Sequence, residues 1–422
     1  MFSHHTAWST EATALDRALT TLRARNSELL DLTITNPTLV GFTHPPALYR
    51  QLCDEQSATY DPASLGLDSA RSAVADYYAA RGHHPNAAHH ATRGRPVADD
   101  HAPRSRPPDP AHIGLCASSS EAYSHLLALL CDPGDAVLVP QPGYPLLRVI
   151  AELAHVELVP YPLLYDGTWS IDQVGLRQIL AATPRARALV VVAPNNPTGN
   201  YLHPPELPFL DALLAPRDIA LLCDEVFHDY PLREGPRPSP ALTPPSCLAF
   251  TISGLSKVAA LPQLKLAWWL ANGPDALVRE AITRLEIVAD TYLSAATPVQ
   301  LALPRLLAAA PAMQAQISAR TRRNLARLQL ACRATAVTVL DVDAGWTALL
   351  RMPAVHDLDD AAWALQLLTR ARILTQPASL YDLHAPPHLA VSLLTPEATL
   401  DLACDRLRAT VAEVLACGPC CP

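Results

Sequence analysis

Short runs of β-branched and apolar residues alternate along this chain with segments whose apolar residues recur every three or four positions. "AVLVP" (136–140), "HVELVPYPL" (155–163), "ALVVVAP" (188–194) and "IALLCDEV" (219–226) are strand-like. "SEAYSHLLALLCDPG" and "PLLRVIAELA" between them carry helical spacing. The strand runs are apolar throughout instead of alternating, which requires cover on both faces. The pattern predicts an α/β fold: a large domain with a mostly parallel sheet between helical layers. From about residue 290 helical periodicity dominates, as in "TPVQLALPRLLAAAPAMQAQI". It predicts a long linking helix and a smaller α+β domain. The expected division is 1–45 as an N-terminal arm with part of the small domain, 46–285 as the large domain, and 286–422 as linking helix and small domain. No internal repeat is present.

Composition removes several function classes. Of 422 residues, 50% are hydrophobic and 17% charged, so a sizeable core is available, and the net charge is −8. An acidic chain without a basic run is not built to bind nucleic acid. The N-terminus lacks a basic-then-apolar signal segment. No apolar stretch reaches the ~18 residues a membrane helix needs. A cytoplasmic, soluble protein is expected. Ten cysteines are scattered, with Cys116, Cys131 and Cys223 in apolar runs, where reduced thiols act as small hydrophobes. Cys417 and Cys420 form a C-x-x-C in the tail "CGPCCP", but a redox motif needs a helix after it. A frayed tail is expected there. The stretch 83–112 is rich in Pro, His, Arg and Asp and nearly free of apolar residues, which predicts a disordered insertion. Its histidines lack metal-ligand spacing, and no metal site is expected.

Ligands in open α/β sheets bind at the carboxyl ends of strands. Three polar clusters fall there: "APNNPTGN" (193–200), "CDEVFHDY" (223–230) and "SGLSKVAALPQLKLAWW" (253–269). Singly, each is ordinary: a turn, an acidic strand end, a Ser-Lys pair. Together, Asn-Pro-Thr-Gly is followed after about 28 residues by Asp224, and after about 33 more by Lys257. In that order the clusters resemble the class I/II aminotransferases of the aspartate aminotransferase superfamily, the fold-type I pyridoxal-phosphate enzymes. The resemblance runs from about Asp31 to the C-terminal helix, excluding the insertion.

The resemblance implies pyridoxal 5′-phosphate as cofactor and a role for each matching residue. Lys257 would hold the cofactor aldehyde as a Schiff base and, once released, move a proton. Asp224 would pair with the pyridinium nitrogen, and Asn196 would hydrogen-bond the ring's phenolic oxygen. Ser119 and Ser120, in "CASSSEAYSHLL", would meet the phosphate at a helix start, with Ser256 adding a hydroxyl. A plain helix cap is the other reading for these serines. Tyr144 in "QPGYPLL" would stack on the ring, unless it is a core tyrosine. Lys265 stands where relatives carry a phosphate-gripping arginine, as a point charge instead of a fork; a lysine reaching solvent is the alternative. Tyr60, in "ATYDPASLGLDSARSAVADYY", would cross a homodimer to the partner's phosphate. Asn36, in "LLDLTITNPTLVGF", would approach the substrate, although Thr35 replaces the usual glycine before it.

Other positions depart from the pattern. Phe227 replaces a tyrosine that donates to the phenolic oxygen, and Gly254 replaces a serine. Ala390, in "PPHLAVSLLTPEATL", stands where relatives carry the arginine that clamps the substrate carboxylate, and no arginine lies between Arg372 and Arg406. Another cation, such as Arg372 or one from the insertion, would have to serve, or the substrate lacks that carboxylate, or the chemistry differs. The expected activity is amino transfer between an amino acid or amine and a keto or aldehyde acceptor by a ping-pong mechanism. A lyase or a replacement or condensation enzyme shares the same residues. A transcriptional regulator would need a DNA-binding module in the roughly 30 residues before the first family segment. A binding protein would not need Lys257.

Overall fold

The structure, a computed structural model, describes residues 1–3, 6–9, 11–82, 108–355 and 358–417. Its centre is an eight-stranded sheet. From one edge the strands are Ile113–Cys116, Ala267–Asn272, Ala249–Gly254, Ala220–Asp224, Ala186–Val192, Ala136–Gln141, Glu157–Tyr165 and Trp169–Ile171. The four strands from 249–254 to 136–141, together with 157–165, run parallel, while Ala267–Asn272 and Trp169–Ile171 run against their neighbours.

The apolar strand runs now have their reason. Leu138, Leu189, Val191, Leu221 and Cys223 enter one buried cluster. Val137, Ala188, Val190, Ala220 and Leu222 enter another on the opposite face. A strand alternates its side chains between faces, so a sheet dry on both sides favours apolar residues at successive positions. The predicted α/β layering is the observed one.

A smaller antiparallel sheet orders Thr338–Val339, Thr347–Arg351, His388–Ser392 and Gln376–Pro377. The N-terminal arm joins it: Leu30–Asp31 pairs in parallel with Ile373–Leu374, and Ser392 N donates to Leu32 O at 2.7 Å. The helix Thr297–Cys332 runs 36 residues, about 54 Å at 1.5 Å per residue. Along it, Leu303 and Leu306 pack under the large sheet, Met313 and Ile317 beside the site, and Leu325 and Leu328 in the small-sheet core.

Three expectations need correction. The boundary placed at residue 285 cuts the helix Asp275–Tyr292, so helical periodicity begins before the linking helix. The strand expected from His155 begins at Glu157, because His155 takes a positive φ of 58° in a turn. Of the expected insertion, 108–112 is ordered: Asp109 caps a 3-10 turn over Pro110–His112 that leads straight into the first sheet strand. Residues 83–107 of that stretch lie outside the described residues, as does the tail beyond Cys417, which closes the helix Glu397–Cys417.

Candidate active site

The strand ends converge as the clusters required. Asp224 closes its strand, Asn195 and Asn196 follow Val192, Tyr144 follows Gln141, and Lys257 follows Gly254 on the short helix Leu255–Val258. Each of those strands points the same way, so all these residues emerge at one edge of the sheet.

Lys257 is the centre of this edge. Its Nζ lies 5.3 Å from the Phe227 ring centre and 5.0 Å from that of Trp346. Burial among these rings lowers its pKa to about 8, against the opposing pull of Asp224. The backbone around it is bolted from three sides. Tyr230 Oη donates to Lys257 O at 2.5 Å, Gln314 Nε2 to Val258 O at 2.8 Å, and His44 Nε2 lies 2.7 Å from Ala259 O. An amine with a pKa near 8 is about one-tenth neutral at pH 7, against about one part in 3,000 for a lysine at 10.5. Only the neutral amine attacks an aldehyde. Aldehyde labelling of the cofactor-free protein is therefore expected to rise with pH and level off above about 8, in a single lysine lost in Lys257→Ala. Labelling that still climbs steeply past pH 9 contradicts the shift.

Asp224 is buried, and burial raises its pKa to about 6. Two donors favour its charged form: Val226 N to Oδ1 and Tyr123 Oη to Oδ2, each at 3.1 Å. Tyr123 was not evident in the sequence, since only folding brings it to a residue about a hundred positions away. It lies one helical turn past Ser119 and Ser120, so its bond draws that helix start against the site. The cap of this helix is Ser118, whose Oγ accepts from Glu121 N at 3.1 Å. That frees the partly exposed hydroxyls of Ser119 and Ser120 from capping.

Asn195 Nδ2 donates to Pro142 O at 3.0 Å and to Thr198 Oγ1 at 2.7 Å, tying the Tyr144 loop to the Asn-Pro-Thr-Gly turn. A recess beside this turn is lined by Asn195, Asn196, Phe227, Trp346 and Thr347. The Oδ1 atoms of both asparagines and Nε1 of Trp346 are buried without a partner there. A buried polar atom without a partner calls for an explanation, and a polar ligand bound beside it is one. Tyr144 is 52% exposed. Gly254 has a steric reason: a Cβ would stand 2.8 Å from Ala267 Cβ on the adjoining strand. Gly199 turns at φ +71°, where a Cβ would strike Val342.

The remaining predicted residues make these contacts. Ser256 is partly buried beside Lys257. Lys265 is exposed, at φ +51°, without an ion pair among the described residues. Tyr60 is 67% exposed. Asn36 Oδ1 caps a local turn, accepting from Thr38 N at 3.0 Å and Thr38 Oγ1 at 2.8 Å. Ala390 is 1% exposed. Arg372, considered as a substitute cation, gives Nη1 to Thr369 O at 2.7 Å.

Residues 106–407 match the family "Aminotransferase class I and II". The chain belongs to that family. This aminotransferase-family chain is 28% identical to glutamate-pyruvate aminotransferase AlaA of Escherichia coli strain K12 over 287 residues, which is 68% of the chain and 65% of that relative's length. The chain thus aligns with under two thirds of that relative. It is also 28% identical to an alanine aminotransferase of Mycobacterium bovis over 397 residues, 92% of the chain and 86% of the relative. Its fold matches the solved structure of an alanine aminotransferase from Pyrococcus furiosus, with TM-score 0.83, 20% identity, and coverage of 98% and 100% of the two chains. A Thermus thermophilus aspartate aminotransferase gives TM-score 0.81 at 23% identity, covering 97% of this chain and 99% of the other. Members of this family use pyridoxal 5′-phosphate, and the lysine, carboxylate, unpartnered amides and exposed helix start found here fit that cofactor. No cluster suited to a metal ion occurs among the described residues, and among them no helix is long and apolar enough to cross a membrane.

Proposed function

We propose that this protein is a pyridoxal-phosphate-dependent aminotransferase that takes an amino group from one small molecule and gives it to a carbonyl acceptor in a second half-reaction. The observation that carries this reading is Lys257, its pKa lowered to about 8, lodged between Phe227 and Trp346 within electrostatic reach of Asp224. The bound cofactor supplies an electron sink that weakens the hydrogen on the carbon bearing nitrogen. Lys257 supplies the rest: a nucleophilic amine, and a base able to lift that proton and return it.

Asp224 faces the ring nitrogen in this reading and holds it protonated, as only a carboxylate can. Asn196 donates to the phenolic oxygen, alone, because Phe227 offers no hydroxyl. Ser119, Ser120 and Ser256 meet the phosphate with Lys265, Tyr144 covers the ring, and Asn36 faces the substrate. The exposure of Tyr60 and Lys265 supports a homodimer in which the partner's tyrosine completes the phosphate site. We place the protein in the cytoplasm and assign the cofactor to the domain built on the large sheet.

Tyr123 sharpens the test of Asp224. Its hydroxyl favours the charged carboxylate, and a hydrogen bond to a charged group is worth about 1.5–3 kcal/mol. Tyr123→Phe is expected to weaken pyridoxal phosphate binding about tenfold or more and to shift its acid limb to higher pH, since the carboxylate then protonates sooner. Spectroscopic titration of cofactor against pH reads both. An unchanged pH profile removes Tyr123 from the account.

The reading itself is tested by single turnover of cofactor-loaded protein with amino donors, followed by recovery of the cofactor. Pyridoxamine 5′-phosphate in stoichiometric yield supports amino transfer; cofactor recovered unchanged while the donor is cleaved or substituted favours the lyase or replacement alternative.

A further inference from the structure

Lys257 stands on a helix of four residues, Leu255–Val258, without a side-chain cap at its start. A single turn fixes more dihedrals than its hydrogen bonds repay, so this helix does not hold its own shape. Its last carbonyls look to donors outside it, because the chain turns away at Ala260, where φ is +53°. Val258 O, the carbonyl next to the lysine, is met by Gln314 of the linking helix, with Nε2 at 2.8 Å.

Gln314 is itself aimed from behind. The same Nε2 donates to Asp229 Oδ2 at 3.2 Å, and Tyr77 Oη donates to that oxygen at 2.7 Å. Burial, together with the charge of Asp229, keeps Tyr77 protonated and so a donor. Tyr77 lies on the helix Asp68–Gly82, and Arg81, one turn further on, gives Nη2 to Glu225 Oε2 at 2.7 Å. The side chains of that ion pair are only 10% and 0% exposed. Glu225 follows Asp224 directly, and its N donates to Ile252 O at 2.8 Å. The segment after Asp224 is therefore pinned twice by one helix, at Glu225 by Arg81 and at Asp229 by Tyr77. Gln314 and Asp229 are both partly exposed. Without the carboxylate, water competes for the glutamine amide and the long side chain regains its rotamers.

We propose that Asp229 is a positioning residue for Lys257: it fixes the Gln314 amide, which holds the Val258 carbonyl and with it the lysine's place between Phe227 and Trp346. That Lys257 is the reacting amine rests on the aminotransferase reading. Position decides how deeply the amine is buried, and burial is what lowers its pKa to about 8. A loosened turn admits water and lets the pKa climb back. The charge acting on Lys257 is that of Asp224. Tyr230 and His44, the titratable groups against its turn, each meet a backbone carbonyl.

The first readout needs no turnover. Cofactor-free protein is treated with propanal across a range of pH, trapped with borohydride and mapped by mass spectrometry. Lys265, the other lysine of the chain, gives a reference rate in the same sample. Gln314→Met keeps the side-chain volume and loses the donor. Its Lys257 midpoint is expected to rise by at least about half a unit, slowing labelling at pH 7 about threefold. Asp229→Ala should do the same, and Asp229→Asn, which keeps an acceptor oxygen, should recover most of the loss. Removing an anion on its own moves a lysine midpoint down, so the sign separates anchoring from charge. The double variant should be no worse than either single one, because the two residues act in series.

The second readout is single turnover of the holoenzyme with alanine or alaninamide. Gln314→Met should slow it about ten- to a hundredfold at saturation, the cost of a displaced reacting group, with half-saturation held within about twofold. A lower melting temperature with midpoint and rate unchanged makes the network structural and overturns the proposal. A downward midpoint in Asp229→Ala with none in Gln314→Met overturns it too. Should Asp229→Ala not fold, the sign of the Gln314→Met shift decides alone. If neither amine is converted while that midpoint still rises, the aminotransferase reading fails and the positioning assignment stands.

Discussion

Lys257→Ala is expected to lower amino transfer at least about 10³-fold. It removes two contributions at once, the amine that holds the cofactor and the base that moves the proton, and positioned proton transfer alone is worth about 10²–10⁴-fold. The protein should still fold. The side chain removed is a partly buried cation whose desolvation disfavours it, and the surrounding turn is held by Tyr230, Gln314 and His44 through backbone carbonyls that remain. The check is activity beside thermal unfolding, with mass spectrometry after borohydride reduction. Wild type should gain the cofactor covalently at Lys257, and the variant should not. Loss of fold in Lys257→Ala would show that the lysine is structural.

Asp224→Asn carries the second largest effect, about 10²–10³-fold in kcat/KM. Leaving one buried charge without its partner costs about 3–5 kcal/mol, and here the orphan would be the protonated ring nitrogen. The amide keeps the volume and can still accept from Tyr123 Oη, so a loss in the isosteric variant measures charge and not packing. The direction is fixed by the pKa near 6. Below it Asp224 is neutral and wild type should behave like the variant; above it the two should diverge. Steady-state rates from pH 5 to 8 test this. A constant ratio across that range contradicts the assignment.

The residues that can be read from sequence are those whose chemistry is fixed by spacing along one strand exit. Asp224 qualifies because it ends a run of apolar residues long enough to be recognised as a buried strand, and Lys257 because its Ser-Lys pair follows about 33 residues beyond. The layering of the large sheet was equally plain, because a strand covered on both faces is apolar along most of its length. Tyr123 and Trp346 were hidden for a common reason: each meets the site through a contact that the chain closes only after folding. Tyr123 looks like one more helical residue until its helix is laid against Asp224, and Trp346 like one more core aromatic until Lys257 Nζ is placed above it. The helix cap was a matter of one residue. Three consecutive serines satisfy any sequence rule for a cap, and only the backbone, with Ser118 extended at φ −160°, decides which one turns inward. Ala390 was legible as an absence, whereas its burial in the core between Leu349 and Gln376 depends on strand register.

If Lys257 holds the cofactor and moves the proton in amino transfer, a donor alone must leave its nitrogen on the cofactor. Cofactor-loaded protein is mixed with an excess of donor, both alaninamide and alanine, and no acceptor, and the cofactor is then extracted and identified. The account predicts one equivalent of pyridoxamine 5′-phosphate per site in wild type and none in Lys257→Ala. Recovery of pyridoxal 5′-phosphate alone from wild type with every donor, or equal conversion in Lys257→Ala, would contradict it.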